Sequence, residues 1–334
     1  MKKYILEIIG IICVLSLLIK GSVYIVRPDN TDQCVATIEA FHNLPENSID
    51  VLFLGSSHGW RGVNVLEMYE QYGQAVYNYG GNWQRLSTES LFFYDALRTQ
   101  KPKVVFLETY RVNELIIDQD LDGEIYYTRA ISHFPYKWNY LKQAFGKELD
   151  RYVAYYFPLA QFHSAWKDIN ANSFIKWYTT EEFENTMGYY YLPQDRVQTI
   201  EIGDYETFDQ YELSDEAVAM LDDIVDTCEK ENIELILYTV PFGENYNYSD
   251  ALTEYAKERD IVYLDLFKYK NEIGLINEED YCDLGHMNYA GATKIADFLG
   301  KYVDDNYDLE DMRLYDNNIW QGKIGKKTGN KFFE

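Results

Sequence analysis

Short unbroken apolar runs recur along the chain, separated by stretches whose apolar positions return at helical spacing. The runs Asp50–Leu54, Ala75–Asn78, Lys103–Glu108, Ile233–Tyr238 and Ile261–Leu264 read as strands. They do not alternate apolar with polar, so both faces of each strand must be covered, as in a parallel sheet. Between them lie helical patterns over Asn64–Tyr72, Arg85–Arg98, Asp215–Glu231, Ser249–Arg259 and Ala290–Tyr302. In the second of these, Leu86, Leu91, Phe93, Tyr94 and Leu97 share one face. Ser214 is placed to cap the third. This alternation predicts an α/β fold, a flavodoxin-like three-layer sandwich on a five-stranded parallel sheet.

The alternation fails from Arg111 to about Thr207, where aromatics are dense and no strand–helix repeat is legible. We read 111–210 as an insertion over the sheet edge, where added loops often carry specificity. Upstream, Arg27–Asn47 holds Pro28 and Pro45 and reads as a polar connector. The expected division is a membrane anchor over 1–27, a connector over 28–48, the main domain over 49–303 and a loose C-terminal extension over 304–334 without an assigned role.

Ile8–Val26 is almost wholly apolar and approaches the roughly 20 residues that span a bilayer. Lys20 can snorkel to the interface. Lys2 and Lys3 ahead of the run favour a cytoplasmic N-terminus. No small-x-small cleavage site follows, so an uncleaved single-pass anchor is expected, with the main domain outside the cytoplasm.

Composition narrows the function. The 334 residues hold 30 Lys+Arg against 55 Asp+Glu, a net charge of −25. Nucleic acid is not an expected partner, because phosphate contacts need clustered cations. The 32 tyrosines either fill a core and its margins or offer surfaces that stack on sugars. Cys13 lies in the anchor, and Cys34, Cys228 and Cys282 match no metal pattern. Cys228 reads as an inert buried thiol. Cys34 and Cys282 are either inert thiols or a disulfide suited to an extracytoplasmic domain. No metal or other cofactor is expected, and Gly55–Gly59 lacks the Lys-Ser/Thr ending of a phosphate loop.

The candidate chemistry sits at the end of the first strand and near the end of the main domain. Val51–Leu54 runs into Gly55-Ser56-Ser57-His58-Gly59, so a serine stands at a strand C-terminus, where ligands bind in open α/β sheets. Far downstream comes Asp283-Leu284-Gly285-His286. Together they hold the three parts of a Ser-His-Asp triad. The competing reading makes Asp283 and His286 caps of the helix that starts near Tyr289. His58 adjoins Ser57, and adjacency aims its side chain away from that hydroxyl, so it is not taken as the base. His42, His133 and His163 are scattered and need no role.

These two motifs resemble those of the SGNH (GDSL) hydrolases. The likeness runs from about Ile49 to about Gly300, interrupted after Tyr110. It implies Ser57 as nucleophile, with Ser56 at the family's usually acidic position as rival. It implies Asp283 and His286 as the remaining triad members. Asn78-Tyr79-Gly80-Gly81 resembles the family's glycine block, which implies the Gly80 N–H beside the Ser57 N–H as oxyanion donors, with Gly81 as rival. The bland reading is that both glycines permit a turn. Asn82 and Gln84 follow and are candidate lining residues, as is His58.

The sequence departs from the family after the third strand. Leu107-Glu108-Thr109-Tyr110-Arg111 stands where a Gly-x-Asn-Asp block is usual. Glu108 and Arg111 are either substrate contacts or a structural ion pair. The same departure is seen in membrane-anchored relatives of cell-envelope acylation, the D-alanine transfer and polysaccharide O-acetylation proteins. The resemblance therefore implies a bacterial cell-surface esterase or acyltransferase acting on a polysaccharide. It also implies an acyl donor and a membrane-bound O-acyltransferase as partners. A non-catalytic glycan-binding or scaffold protein on the same fold is the alternative.

Overall fold

The computed structural model describes residues 2–26, 32–114, 123–132, 134–157, 159, 162, 164–174, 179–201, 208–243 and 246–323. His133, His163 and the last part of the C-terminal extension lie outside the described residues.

Five strands form one parallel sheet: β1 (Val51–Leu54), β2 (Val76–Asn78), β3 (Val104–Glu108), β4 (Glu234–Thr239) and β5 (Val262–Asp265). Their order is β2-β1-β3-β4-β5, with Val51 in register with both Val76 and Val104. β1, β2 and β3 are buried along their whole length, as the unbroken apolar runs require.

The long helices are α1 (Lys2–Val26), α2 (Asp32–His42), α3 (Ser57–Gly62), α4 (Val65–Tyr72), α5 (Leu86–Ala96), α6 (Asp215–Glu231), α7 (Ser249–Glu258) and α8 (Tyr289–Asn306), with α3 and α4 the shortest. α8 packs on α4, where Gly300 lets the two approach: a Cβ there would stand 2.7 Å from the Tyr72 ring. α5 packs on α6, and α6 is tied to α7 through Tyr255 and Arg259, both bonded to Asp222. Ser214 caps α6 with its hydroxyl on the Ala217 N–H, as the sequence suggests. α1 carries one segment, Glu7–Val26, that is long and apolar enough to cross a membrane, and its side chains face outward.

Two expectations change. The stretch read as a polar connector contains α2, whose Cys34, Ala36, Ile38, Ala40 and Phe41 are buried in the core. The missed pattern is a narrow apolar stripe interrupted by buried Thr37, whose hydroxyl bonds the Gln33 carbonyl within the helix. The C-terminal extension is not loose as far as Lys323. Trp320 is buried, donates from Nε1 to the Val76 carbonyl at 2.9 Å and stacks on Tyr69. Of the two readings left open for Cys34 and Cys282, the structure has buried free thiols.

Within the insertion, the short helix Phe134–Phe145 packs on α5. Further along, Met187–Leu192 lies along the edge strand β2, where the Asn78 N–H donates to the Met187 carbonyl at 2.9 Å, and then passes beside α3. There the Gly188 carbonyl accepts from Trp60 Nε1 at 2.7 Å, and the Tyr190 N–H donates to the Trp60 carbonyl. Tyr189, Tyr190 and Tyr191 are buried, so these tyrosines fill the core.

Trp320→Ala should cost about 3–5 kcal/mol, the usual range for deleting a buried tryptophan. Denaturant unfolding of the chain is the measurement. A loss below about 1 kcal/mol would mean that the extension does not pack as described.

Candidate active site

The site begins with a constraint on Gly55. Its φ is +155°, and a Cβ would stand 2.4 Å from the Glu108 Cβ, so only glycine suits this bend out of β1. Ser56 then caps α3: its hydroxyl accepts from the His58 N–H at 3.2 Å and donates to Glu108 Oε2 at 2.7 Å. Ser57 is the first residue of α3. The two serines are thereby placed differently. Ser56 is buried and committed, and the Ser57 hydroxyl faces His286.

His286 is held by a small closed loop. Tyr281 bridges to Met287, and the Cys282 N–H donates to the His286 carbonyl. Asp283 Oδ1 accepts the N–H groups of Gly285 and His286 at 3.0 and 2.9 Å. The Asp283 carboxylate also lies 2.8 and 2.9 Å from His286 Nδ1, and His286 Nε2 lies 2.8 Å from Ser57 Oγ. The three groups therefore form a continuous hydrogen-bonded chain. Asp283 and His286 do not cap the following helix. Asn288 does, accepting from the N–H groups of Ala290 and Gly291.

Electrostatics set the protonation states. Burial lowers the pKa of His286, and the Arg61 guanidinium lowers it further against the opposing pull of Asp283. Asp283 is held well below the usual carboxylate range: the His286 hydrogen bond and charge outweigh the cost of its burial. At neutral pH this favours a neutral imidazole beside an ionised carboxylate, with the Ser57 hydroxyl within hydrogen-bond reach of the ring.

The other expected site residues have mixed placements. The Gly80 N–H, expected to donate to an oxyanion, donates to Asn78 Oδ1 at 3.2 Å instead. The Gly81 N–H donates to the Gly55 carbonyl at 3.1 Å. Gln84 is buried, and with its amide oriented to satisfy both neighbours its nitrogen lies 2.9 Å from Gly55 O and its oxygen 3.2 Å from Gly81 N. These groups fasten the glycine loop onto the end of β1. Asn82 stays at the site, half-buried, with Oδ1 accepting from Arg61 at 2.8 Å.

His58 is buried and stacked on Tyr110 at 3.7 Å, and its ring centre lies 5.4 Å from that of His286. Burial, and secondarily the nearby His286, lower its pKa well below the usual value. It forms a neutral wall of the site with Tyr110 and Phe242. Glu108 is buried beneath the turn, with Oε1 accepting the Tyr110 N–H at 2.7 Å. Burial pushes its pKa up to about 7. It is out of reach of a ligand at the surface. Arg111 pairs with Glu114 and lies over the Trp83 ring.

Two residues that sequence reasoning did not single out belong to the site. Arg61 stands four residues after Ser57 in α3, on the same helix face. Tyr190 of the insertion lies under its guanidinium at 4.9 Å. A helix assigned at Ser57 would have exposed the first through its spacing. The second depends on a chain return that no local pattern marks. Among the described residues, no group of His, Cys, Asp or Glu is arranged to hold a metal ion.

No family model and no curated protein matches the chain. Among solved structures, the chain is similar to the crystal structure of a candidate acylhydrolase from Bacteroides fragilis. The identity is 12%, over 80% of this chain and 93% of that one, with a TM-score of 0.36. Likeness at this level carries no weight for fold or function.

The buried Glu108 should leave a pH signature in stability. Its carboxyl holds a proton in the folded chain up to about pH 7, whereas the unfolded carboxyl releases it near 4.3. Its contribution is thus full below the unfolded value and is lost as pH rises to about 7, a change on the order of 3 kcal/mol. Glu108→Gln should flatten the stability profile over that window in denaturant titrations. An unchanged slope would show that Glu108 is ionised in the fold.

Proposed function

We propose that this chain is a serine-dependent acyl esterase or acyltransferase that handles acyl groups of an extracytoplasmic polysaccharide. The observation that carries the reading is the unbroken chain from Ser57 Oγ through His286 to Asp283, at the carboxyl end of β1. Support for a likeness to SGNH hydrolases comes from the motifs and from the strand order, which is that of doubly wound flavodoxin-like sheets. α1 is the anchor in this reading, with the main domain outside the cytoplasm. A membrane-bound O-acyltransferase is the partner that would supply acyl groups.

In the proposed reaction Ser57 Oγ attacks the ester carbonyl as His286 Nε2 takes its proton. Asp283 holds the imidazole in orientation and stabilises its cationic form. The tetrahedral intermediate collapses, His286 returns the proton to the departing alkoxide, and the acyl group stays on Ser57. A sugar hydroxyl or a water then attacks that ester and gives its proton to His286, which passes it to Ser57 Oγ as the acyl–oxygen bond breaks and both groups return to their starting states. The Ser57 N–H heads a helix and is the main-chain oxyanion donor in this scheme, with the Asn82 side-chain amide as the second. The engaged Gly80 N–H leaves one conventional donor out, and one donor is worth roughly 10²–10³ in rate. Slow turnover on generic esters such as p-nitrophenyl acetate follows.

The engaged Gly80 N–H also favours a second reading, a non-catalytic glycan-binding or scaffold protein on the same fold. A fluorophosphonate probe separates the two. Labelling that Ser57→Ala abolishes and Ser56→Ala retains supports the enzyme. Absence of labelling in the native chain supports the scaffold.

Two further outcomes are expected of the enzyme. Asp283→Asn should fold normally and lose up to about 10⁴-fold in kcat through a misoriented imidazole. kcat/KM should fall on the acid side with a midpoint below 6.5, because burial and Arg61 lower the His286 pKa and only the neutral ring accepts a proton. A midpoint above 7 in the pH–rate profile would contradict this electrostatic account.

A further inference from the structure

Arg61 is out of keeping with the rest of this molecule. Acidic residues outnumber basic ones by 55 to 30, and most described arginines find carboxylates: Arg259 bonds Asp222, Arg98 bonds Asp95 and Arg313 bonds Asp311. Among the described residues Arg61 has no carboxylate within salt-bridge distance. Its Nη2 donates to the neutral Asn82 side chain, and its Nε is buried with no acceptor among the described residues. The Tyr190 ring supports the guanidinium from one side. A partly desolvated guanidinium with unused donors is costly unless something accepts from it.

Its position says what that acceptor is. Arg61 and Ser57 lie four residues apart on one helix face. Its place on the Ser57 face of α3 puts it beside the proposed reacting centre, and its charge lowers the pKa of His58, Asp283 and His286 accordingly. Asn82 links it to the glycine loop on the other side. A second cation, Arg196, also acts on His286. Cationic side chains thus contribute at this histidine, against the Asp283 carboxylate, in a strongly acidic protein. Local positive potential of this kind draws anions toward a cleft that the overall charge would repel.

We infer that the acyl-bearing substrate carries an anionic group beside its ester, a carboxylate or phosphate, and that Arg61 binds this group directly as the specificity-determining residue. The inference rests on the esterase reading for the ester and on the geometry of Arg61 for the anion. A planar guanidinium with free N–H groups suits either anion, because both accept two parallel hydrogen bonds from it. Asn82 and Tyr190 hold the fork in place before the substrate arrives.

The test measures binding without turnover. Full-length Ser57→Ala protein is titrated by calorimetry with 4-acetamidobenzoate, 4-acetamidophenyl phosphate and the neutral methyl 4-acetamidobenzoate. At least one anion should bind 10-fold or more tighter than the neutral ester at low salt, and which one it is names the group. Adding Arg61→Gln should bring the constants together, Arg61→Lys should keep part of the difference, and high salt should shrink it. Equal binding of all three ligands, or an Arg61→Gln effect that weakens anionic and neutral ligands alike, overturns the inference. Fluorophosphonate labelling of native Ser57 runs in parallel. Anion preference without labelling sinks the esterase reading and upholds the anion site. Labelling without the preference does the reverse.

Discussion

One buried hydrogen bond organises the site: the Ser56 hydroxyl on the Glu108 carboxyl at 2.7 Å. β1 and β3 are neighbours in the sheet, so Glu108 at the end of β3 sits under the turn that leaves β1. Its other oxygen takes the Tyr110 N–H, which fixes the chain leaving β3 as well. Both strand ends are therefore clamped by one side chain, and the absence of a side chain at Gly55 lets the clamp close. The hydroxyl of Ser56 is consumed in this work, leaving the adjacent Ser57 hydroxyl for His286. The carboxyl that replaces the missing Asn block acts from beneath the site and has no path to a ligand.

The opposite wall is built by local and long-range contacts together. The Asp283–His286 unit is fastened within its own loop, by a bridge and by backbone N–H groups on the Asp283 carboxylate. That loop is then placed by its neighbours. The Gly243 N–H donates to the Leu284 carbonyl, and the Tyr289 N–H donates to the Leu192 carbonyl. The segment from Gly188 to Leu192 thus touches α3 at one end and the start of α8 at the other. The aromatic insertion serves the site as a strap that spaces its two halves, and Tyr190 is the one ring it lends to Arg61. Burial, and secondarily the Arg61 charge, lower the pKa of His286 and favour its neutral form, while Arg61 itself has no ion-pair partner within 4 Å among the described residues.

Much of this was legible in the linear chain because it rests on local physics. Strands buried on both faces must be apolar throughout, so the five apolar runs identify five sheet strands to within a residue or two. Ser214 and α6 follow from capping chemistry that acts over three residues. Asp283 and His286 contact across a single turn, and a serine after a buried strand sits at the sheet's carboxyl edge whatever surrounds it. Tertiary contacts decided the rest. α2 is marginal as an isolated pattern and gains its stability from the core it enters. Trp320 reads as part of a polar tail until Val76 and Tyr69 receive it. The Gly80 N–H is a free donor in the sequence and a bound one in the fold, because Asn78 turns its side chain back onto it. Arg61 is one of 30 cations in the sequence, and its meaning comes from the absence of an ion-pair partner within 4 Å among the described residues, which is a property of three-dimensional surroundings alone. Periodicity and short-range hydrogen bonding are written in neighbouring residues; which donors remain free, and which charges remain uncompensated, depends on residues far away in the chain.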